Sequence, residues 1–156
     1  MSNFIKFREF DNKVYKVCIS IKEKTEEEIR CNLLKLDINK IDLIEWRVDY
    51  YDDYDSIDKV LNILIMIKNN IGNTPLLFTF KNKSQGGLKD ISIQYYIKLI
   101  KSVANINFID IVDLELSKDY GVTNMLTEFL YNKNIKVILP KHSTEYNLCD
   151  YKIINI

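Results

Sequence analysis

The chain has 156 residues, a length for one domain, and 47% of them are hydrophobic while 28% are charged. That balance argues for a folded globule and against a disordered chain. Formal net charge is zero, which argues against nucleic acid or an anionic membrane as a partner.

Cys18, Cys31 and Cys149 are odd in number and widely spaced. With no CxxC pair, neither a zinc site nor a disulfide framework is indicated, and free thiols in a reducing cytoplasm are expected. The N-terminal MSNFIKFREF lacks the apolar core and cleavage site of a signal peptide. The apolar runs fall short of the roughly 18 residues of a membrane span. Lysine far outnumbers arginine, which occurs only at Arg8, Arg30 and Arg47.

In chain order, FIKFREF and KVYKVCISI, joined by a turn at Asp11–Asn12, predict a small hairpin whose second arm is the strand 14–21. Thr25 with Glu28 forms a capping box. It opens a helix through Ile29, Leu33 and Leu36. Residues 42–48 predict the next strand. Asp55 or Ser56 caps a helix through Val60, Leu61, Leu64, Ile65 and Ile67, and Gly72 ends it. Strands at 75–80, 108–114 and 135–139 then alternate with helices at 92–103 and 119–131. Strands alternating with helices predict an α/β fold of βαβ units on a parallel sheet. The near-continuous apolar strands fit a sheet covered on both faces.

Ligands of parallel α/β folds sit at the carboxyl ends of the strands. Ser20 ends the first parallel strand. Glu45, Arg47 and Asp49 occupy alternate positions on the next, and so share one face. Thr79 and Lys81 end the third, followed by the loop SQGG at 84–87. Asp110, Asp113 and Glu115 lie on the fourth, and His142, the only histidine, follows the fifth. Charges are rarely buried unless paired or functional. A satisfied charge network at a sheet end stays open as the alternative for the trio. A plain flexible loop stays open for Gln85–Gly86–Gly87, and a structural role for His142.

The stretches EWRVDYYD, PLLFTFKNKSQGG, IDIVDLEL and KVILPKHS, in this order and spacing, resemble the type I 3-dehydroquinate dehydratases of the shikimate pathway. The resemblance runs from about Lys16 to His142, and the N-terminal hairpin also looks like that family's. It implies a TIM-type (β/α)8 barrel, with about five of eight strands in this chain. The implied domain is single and incomplete: residues 1–13 as the outer hairpin strand, 14–142 as βα units, and 143–156 as an atypical tail. It also implies a lyase reaction with no metal and no dissociable cofactor, the loss of water from 3-dehydroquinate. In that chemistry a lysine forms a Schiff base with the substrate ketone, making the adjacent C–H proton removable. A histidine takes that proton and protonates the departing hydroxyl.

Carried over by motif, His142 matches the general acid/base, and Glu45 and Arg47 match a substrate-binding pair. Ser20, Lys81 and Gln85 fall at further substrate-binding positions. Lys81 stands where the family usually has arginine, which removes a planar fork. Gln85 stands where glutamate is common. The Schiff-base lysine has no counterpart: fourteen residues follow His142, whereas a further βαβ unit needs about 30. Lys141 and Lys152 do not match it by motif.

Five strands do not close a barrel, so two open sheet edges and a half-exposed apolar inner face are expected. A homodimer or a complementing C-terminal fragment would then be the partner. Three readings follow: a remnant of a broken gene, an N-terminal half needing its complement, and a pseudo-enzyme that binds ligand or partner without turnover. Dehydratase activity stands beside them as the enzyme alternative.

Overall fold

The computed structural model describes residues 4–8, 15–114, 120–140 and 151–154. Seven strands form one sheet in strict chain order: β1 (Phe4–Arg8), β2 (Tyr15–Ile21), β3 (Leu43–Arg47), β4 (Leu76–Thr79), β5 (Ile111–Asp113), β6 (Lys136–Pro140) and β7 (Tyr151–Ile154). β2 to β6 run parallel. The helices between them are α1 (Glu26–Leu33), α2 (Ile57–Ile71), α3 (Ile93–Asn105) and α4 (Tyr120–Tyr131). Right-handed crossovers that always step in one direction put every helix on the same side of the sheet. This is the winding of a barrel, not of an open doubly wound sheet, whose strand order reverses.

Two of the three expected caps form, whereas Ser56 stands at the N-cap of α2 without a side-chain cap hydrogen bond. Thr25 Oγ1 accepts from the Glu28 amide at 3.3 Å, and Glu28 Oε2 accepts from the Thr25 amide at 3.1 Å. Ser92 caps α3 through the Tyr95 amide, and Gly72, at φ 59°, ends α2. The predicted hairpin forms, with Arg8 opposite Tyr15; its turn at Asp11–Asn12 lies outside the described residues.

Alternation along the strands divides the sheet into two faces. Ile19, Ile21, Ile44, Trp46, Leu76, Phe78 and Val112 point at the helices and join Ile29, Leu64, Leu99 and Leu126 in the main core. The opposite, inner face carries Cys18, Leu43, Leu77 and Ile138 as a second, smaller cluster.

Three expectations are corrected. Among the described residues the sheet keeps two open edges, as expected, but they fall on β1 and β7 rather than on the parallel run. β1 pairs antiparallel with β2, and β7 pairs antiparallel with β6, the latter a pairing not expected from the sequence. An antiparallel return needs no helical crossover, and Tyr151, Ile153 and Ile154 are residues that suit a strand. The apolar inner face is not half-exposed: Cys18, Leu43, Leu77 and Ile138 are all buried.

Asp110 is the third correction, since it sits at the amino end of its strand. β5 begins only at Ile111, and Asp110 Oδ2 accepts from the Leu76 amide at 2.8 Å and pairs with Lys68 at 3.2 Å. Asp42 does the same ahead of β3, accepting from the Val17 amide at 2.7 Å. Each acid supplies an acceptor to an amide of a neighbouring strand: Leu76 at the start of β4 and Val17, the third residue of β2.

Candidate functional site

The inner face changes character along the strands. Its amino half is the apolar cluster of Cys18, Leu43 and Leu77. One step towards the carboxyl end, register sets Ser20 beside Glu45, Arg47 beside Thr79, and Thr79 beside Asp113. Glu45, Arg47, Asp49, Thr79 and Asp113 are the buried polar residues of the described chain.

Each charge has a named partner. The Ser20 hydroxyl donates to Glu45 Oε2. Arg47 donates through Nε to Asp49 Oδ1 and through Nη2 to Asp49 Oδ2, both at 2.8 Å. Lys81 Nζ lies 4.0 Å from Asp113 Oδ2. The Tyr50 ring flanks the Arg47 guanidinium, with Cζ 5.0 Å from the ring centroid.

Asp49 was expected on the strand, but β3 ends at Arg47 and Asp49 lies in a 3-10 turn, Val48–Tyr50. The turn folds its carboxylate back onto Arg47. Asp49 is completely buried and also accepts from the Lys81 amide at 3.4 Å and the Leu88 amide at 3.3 Å. It therefore joins the ends of β3 and β4 to the following loop. The sequence shows Asp49 as one of three charges and does not reveal that four donors converge on it. Thr79 and Asp113 were visible only as strand-end polar residues. Parallel register is what brings them beside Arg47 and Lys81.

Burial and partners set the ionisation of the site. Burial works against the Arg47 cation, but the hydrogen bond and charge of Asp49, with lesser help from Glu45 and Tyr50, hold its pKa above the ordinary arginine value. Burial, with the Glu45 charge behind it, pushes the Cys18 thiol up to about 12. Cys18 is thus a neutral packing residue at the floor of the site. Thr79 Oγ1 is buried and has no hydrogen-bond partner among the described residues. A buried hydroxyl in this state is uncommon, since buried polar groups are ordinarily hydrogen-bonded.

The SQGG loop is built, not slack. Gln85 ends a 3-10 turn, Lys83–Gln85, and its Oε1 accepts from the Asn82 amide at 3.3 Å. Gly86 takes φ 82°, open to glycine at little cost. Gly87 passes so close to the Lys81 carbonyl that a Cβ would lie 1.8 Å from its oxygen. Both glycines follow from loop geometry, and the loop seats Gln85 beside the strand ends. His142 and Glu115 lie outside the described residues, as do Lys141 and Cys149; β6 ends two residues before His142. Lys152 belongs to β7. Among the described residues, no group of three or more His, Cys, Asp or Glu is placed to hold a metal ion, and no helix is long and apolar enough to cross a membrane.

Fold and site together define a run of barrel-type βα units with a polar cluster at the carboxyl end of the inner face. The family model for type I 3-dehydroquinase matches residues 17–156, and so includes the C-terminal segment set apart above as atypical. The 3-dehydroquinate dehydratase of Clostridium botulinum is 34% identical over 140 residues, which cover 90% of this chain and 55% of that protein. The same enzyme of Clostridioides difficile is 35% identical over 127 residues, covering 81% and 50%.

Among solved structures, the type I enzyme of Clostridium difficile with covalently modified comenic acid superposes with a TM-score of 0.75 at 34% identity. That match covers 78% of this chain and 48% of that one. The 3-dehydroquinate dehydratase of Enterococcus faecalis gives a TM-score of 0.71 at 28% identity. The chain belongs to the type I 3-dehydroquinase family, whose structures are TIM barrels. It spans about half the length of the relatives it matches.

Proposed function

We propose that the polar end of the inner face binds 3-dehydroquinate, and that this chain supplies the substrate-gripping part of dehydratase chemistry. The observation that carries this reading is the convergence of Ser20–Glu45, Arg47–Asp49 and Lys81–Asp113 around the Thr79 hydroxyl, which has no partner among the described residues. A polyhydroxylated carboxylate needs such a mixture: acceptors for its hydroxyls and cations for its carboxylate. Glu45, Arg47 and Ser20 take the ring hydroxyls, Lys81 adds a point charge, and Gln85 approaches from the loop. His142, just beyond β6, is the proton carrier.

Imine formation needs a lysine amine to attack the ketone and expel water. The histidine then removes the adjacent proton and protonates the leaving hydroxyl. Within these 156 residues the motifs supply substrate-gripping groups and the histidine, and the part of the chemistry proposed for them is binding and proton transfer. The reaction also accounts for placing the protein in aromatic amino acid biosynthesis, with the cytoplasm as its compartment.

Calorimetric titration with 3-dehydroquinate, and intact-mass measurement after borohydride quenching, test this. Saturable binding is expected, weakened about tenfold or more by Glu45→Ala or Arg47→Ala, with no reduced adduct. Absence of binding, or binding unchanged in both variants, overturns the reading. An adduct on one lysine replaces binding alone with imine chemistry in this chain.

A further inference from the structure

The Arg47–Asp49 pair has a geometry that decides what Arg47 is able to offer. Asp49 takes the side edge of the guanidinium, Nε with Nη2. The end edge, Nη1 with the second N–H of Nη2, is left without a hydrogen-bond partner among the described residues. Tyr50 covers one flank of the guanidinium. Asp49 is itself fixed: Oδ1 accepts from Arg47 Nε and the Lys81 amide, and Oδ2 from Arg47 Nη2 and the Leu88 amide. Two donors on each oxygen fill a carboxylate's acceptor capacity. One buried carboxylate therefore holds the arginine and both ends of the Gln85–Gly86–Gly87 loop.

We propose that Asp49 is a positioning residue that aims the end edge of Arg47 at the ligand and couples that aim to closure of the loop between Lys81 and Leu88. The ligand half of this proposal rests on the binding site proposed above; the coupling half does not. A lysine at position 47 would keep a charge partner for Asp49 but has no second edge to present. An asparagine at position 49 keeps the size and one acceptor oxygen, and loses the charge that fixes the fork.

The test compares the wild-type chain with Asp49→Asn and Arg47→Lys. Hydrogen exchange is followed by NMR at the Arg47 Nε–H and the Leu88 amide, with the Phe78 amide as a core control. With only three arginines in the chain, the Nε–H assignment is direct. Asp49→Asn is expected to speed exchange at both Arg47 and Leu88 about tenfold or more while Phe78 stays protected. Titration with 3-dehydroquinate is expected to weaken about tenfold or more in Arg47→Lys, although that variant keeps its fold.

Unchanged Leu88 exchange in Asp49→Asn overturns the coupling, and wild-type affinity in Arg47→Lys overturns the aimed edge. If the wild-type chain binds no 3-dehydroquinate, the proposed function fails. Asp49 is then judged by exchange alone: joint release of Arg47 and Leu88 supports the coupling, and independent behaviour overturns it.

Discussion

The helix-facing and inner faces of the parallel sheet alternate residue by residue along the same strands, yet they solve different problems. On β3 the helix-facing positions are Ile44 and Trp46, and the inner ones are Leu43, Glu45 and Arg47. On β4, Leu76 and Phe78 face the helices while Leu77 and Thr79 do not. The helix side is a continuous apolar core, with Phe78 packed edge-on to Trp46 at 5.9 Å between ring centroids. The inner side is apolar only in its amino half, then turns to paired charges. The difference teaches that core packing and paired charges are carried by neighbouring residues with opposite side-chain directions; on the proposed reading these serve stability and binding. Substitutions on the two faces are therefore expected to separate them.

Trp46→Ala should break the helix-facing side most severely. Truncating a fully buried tryptophan costs about 3–5 kcal/mol, seen as a large fall in the urea midpoint. Gly87→Ala comes next, because its Cβ would collide with the Lys81 carbonyl. The backbone must shift, at about 1–3 kcal/mol, and the same melts read it.

Cys18 sharpens the contrast through pH. Its thiol pKa rises from an ordinary 9.0 to about 12 in the folded chain, so the folded state holds its proton more tightly than the unfolded one. That stabilisation is fully present below pH 9 and is lost as pH rises from about 9 towards 12. Cys18→Ala is expected to flatten this alkaline fall in urea midpoints collected across the range. Cys18 should also resist alkylation in the folded chain while the exposed Cys31 reacts.

The smallest expected effect on stability is Thr79→Val, which removes a buried hydroxyl that has no partner among the described residues. Stability should be unchanged or higher by about 1 kcal/mol. Weaker 3-dehydroquinate binding in the same variant would show that the hydroxyl is kept for the ligand.

Much of this arrangement was legible in the sequence. Apolar runs and caps gave every parallel strand and helix within a few residues, since hydrophobic period and cap chemistry are local signals. The EWR stretch gave Glu45 and Arg47, because charges on alternate residues of an otherwise apolar strand demand an explanation. Asp110 was misplaced because DIVD offers two acids three residues apart, and only backbone pairing shows where the ladder begins. The role of Asp49 was hidden for a related reason. A 3-10 turn and two amides from residues 32 and 39 positions away meet at one carboxylate, which no local pattern encodes. The strand at Tyr151–Ile154 escaped because an antiparallel return breaks the βα rhythm that guided the rest.

The central claim, that the carboxyl end of the inner face is the ligand site, is tested most directly by mapping amide chemical-shift changes during titration with 3-dehydroquinate. Saturable shifts at Ser20, Glu45, Arg47, Thr79, Lys81 and Asp113, with Ile44, Trp46 and Phe78 still, are the predicted result. Shifts centred instead on the outer recess formed by Lys24, Glu26, Tyr51 and Lys59, or no saturable shifts at all, would contradict it.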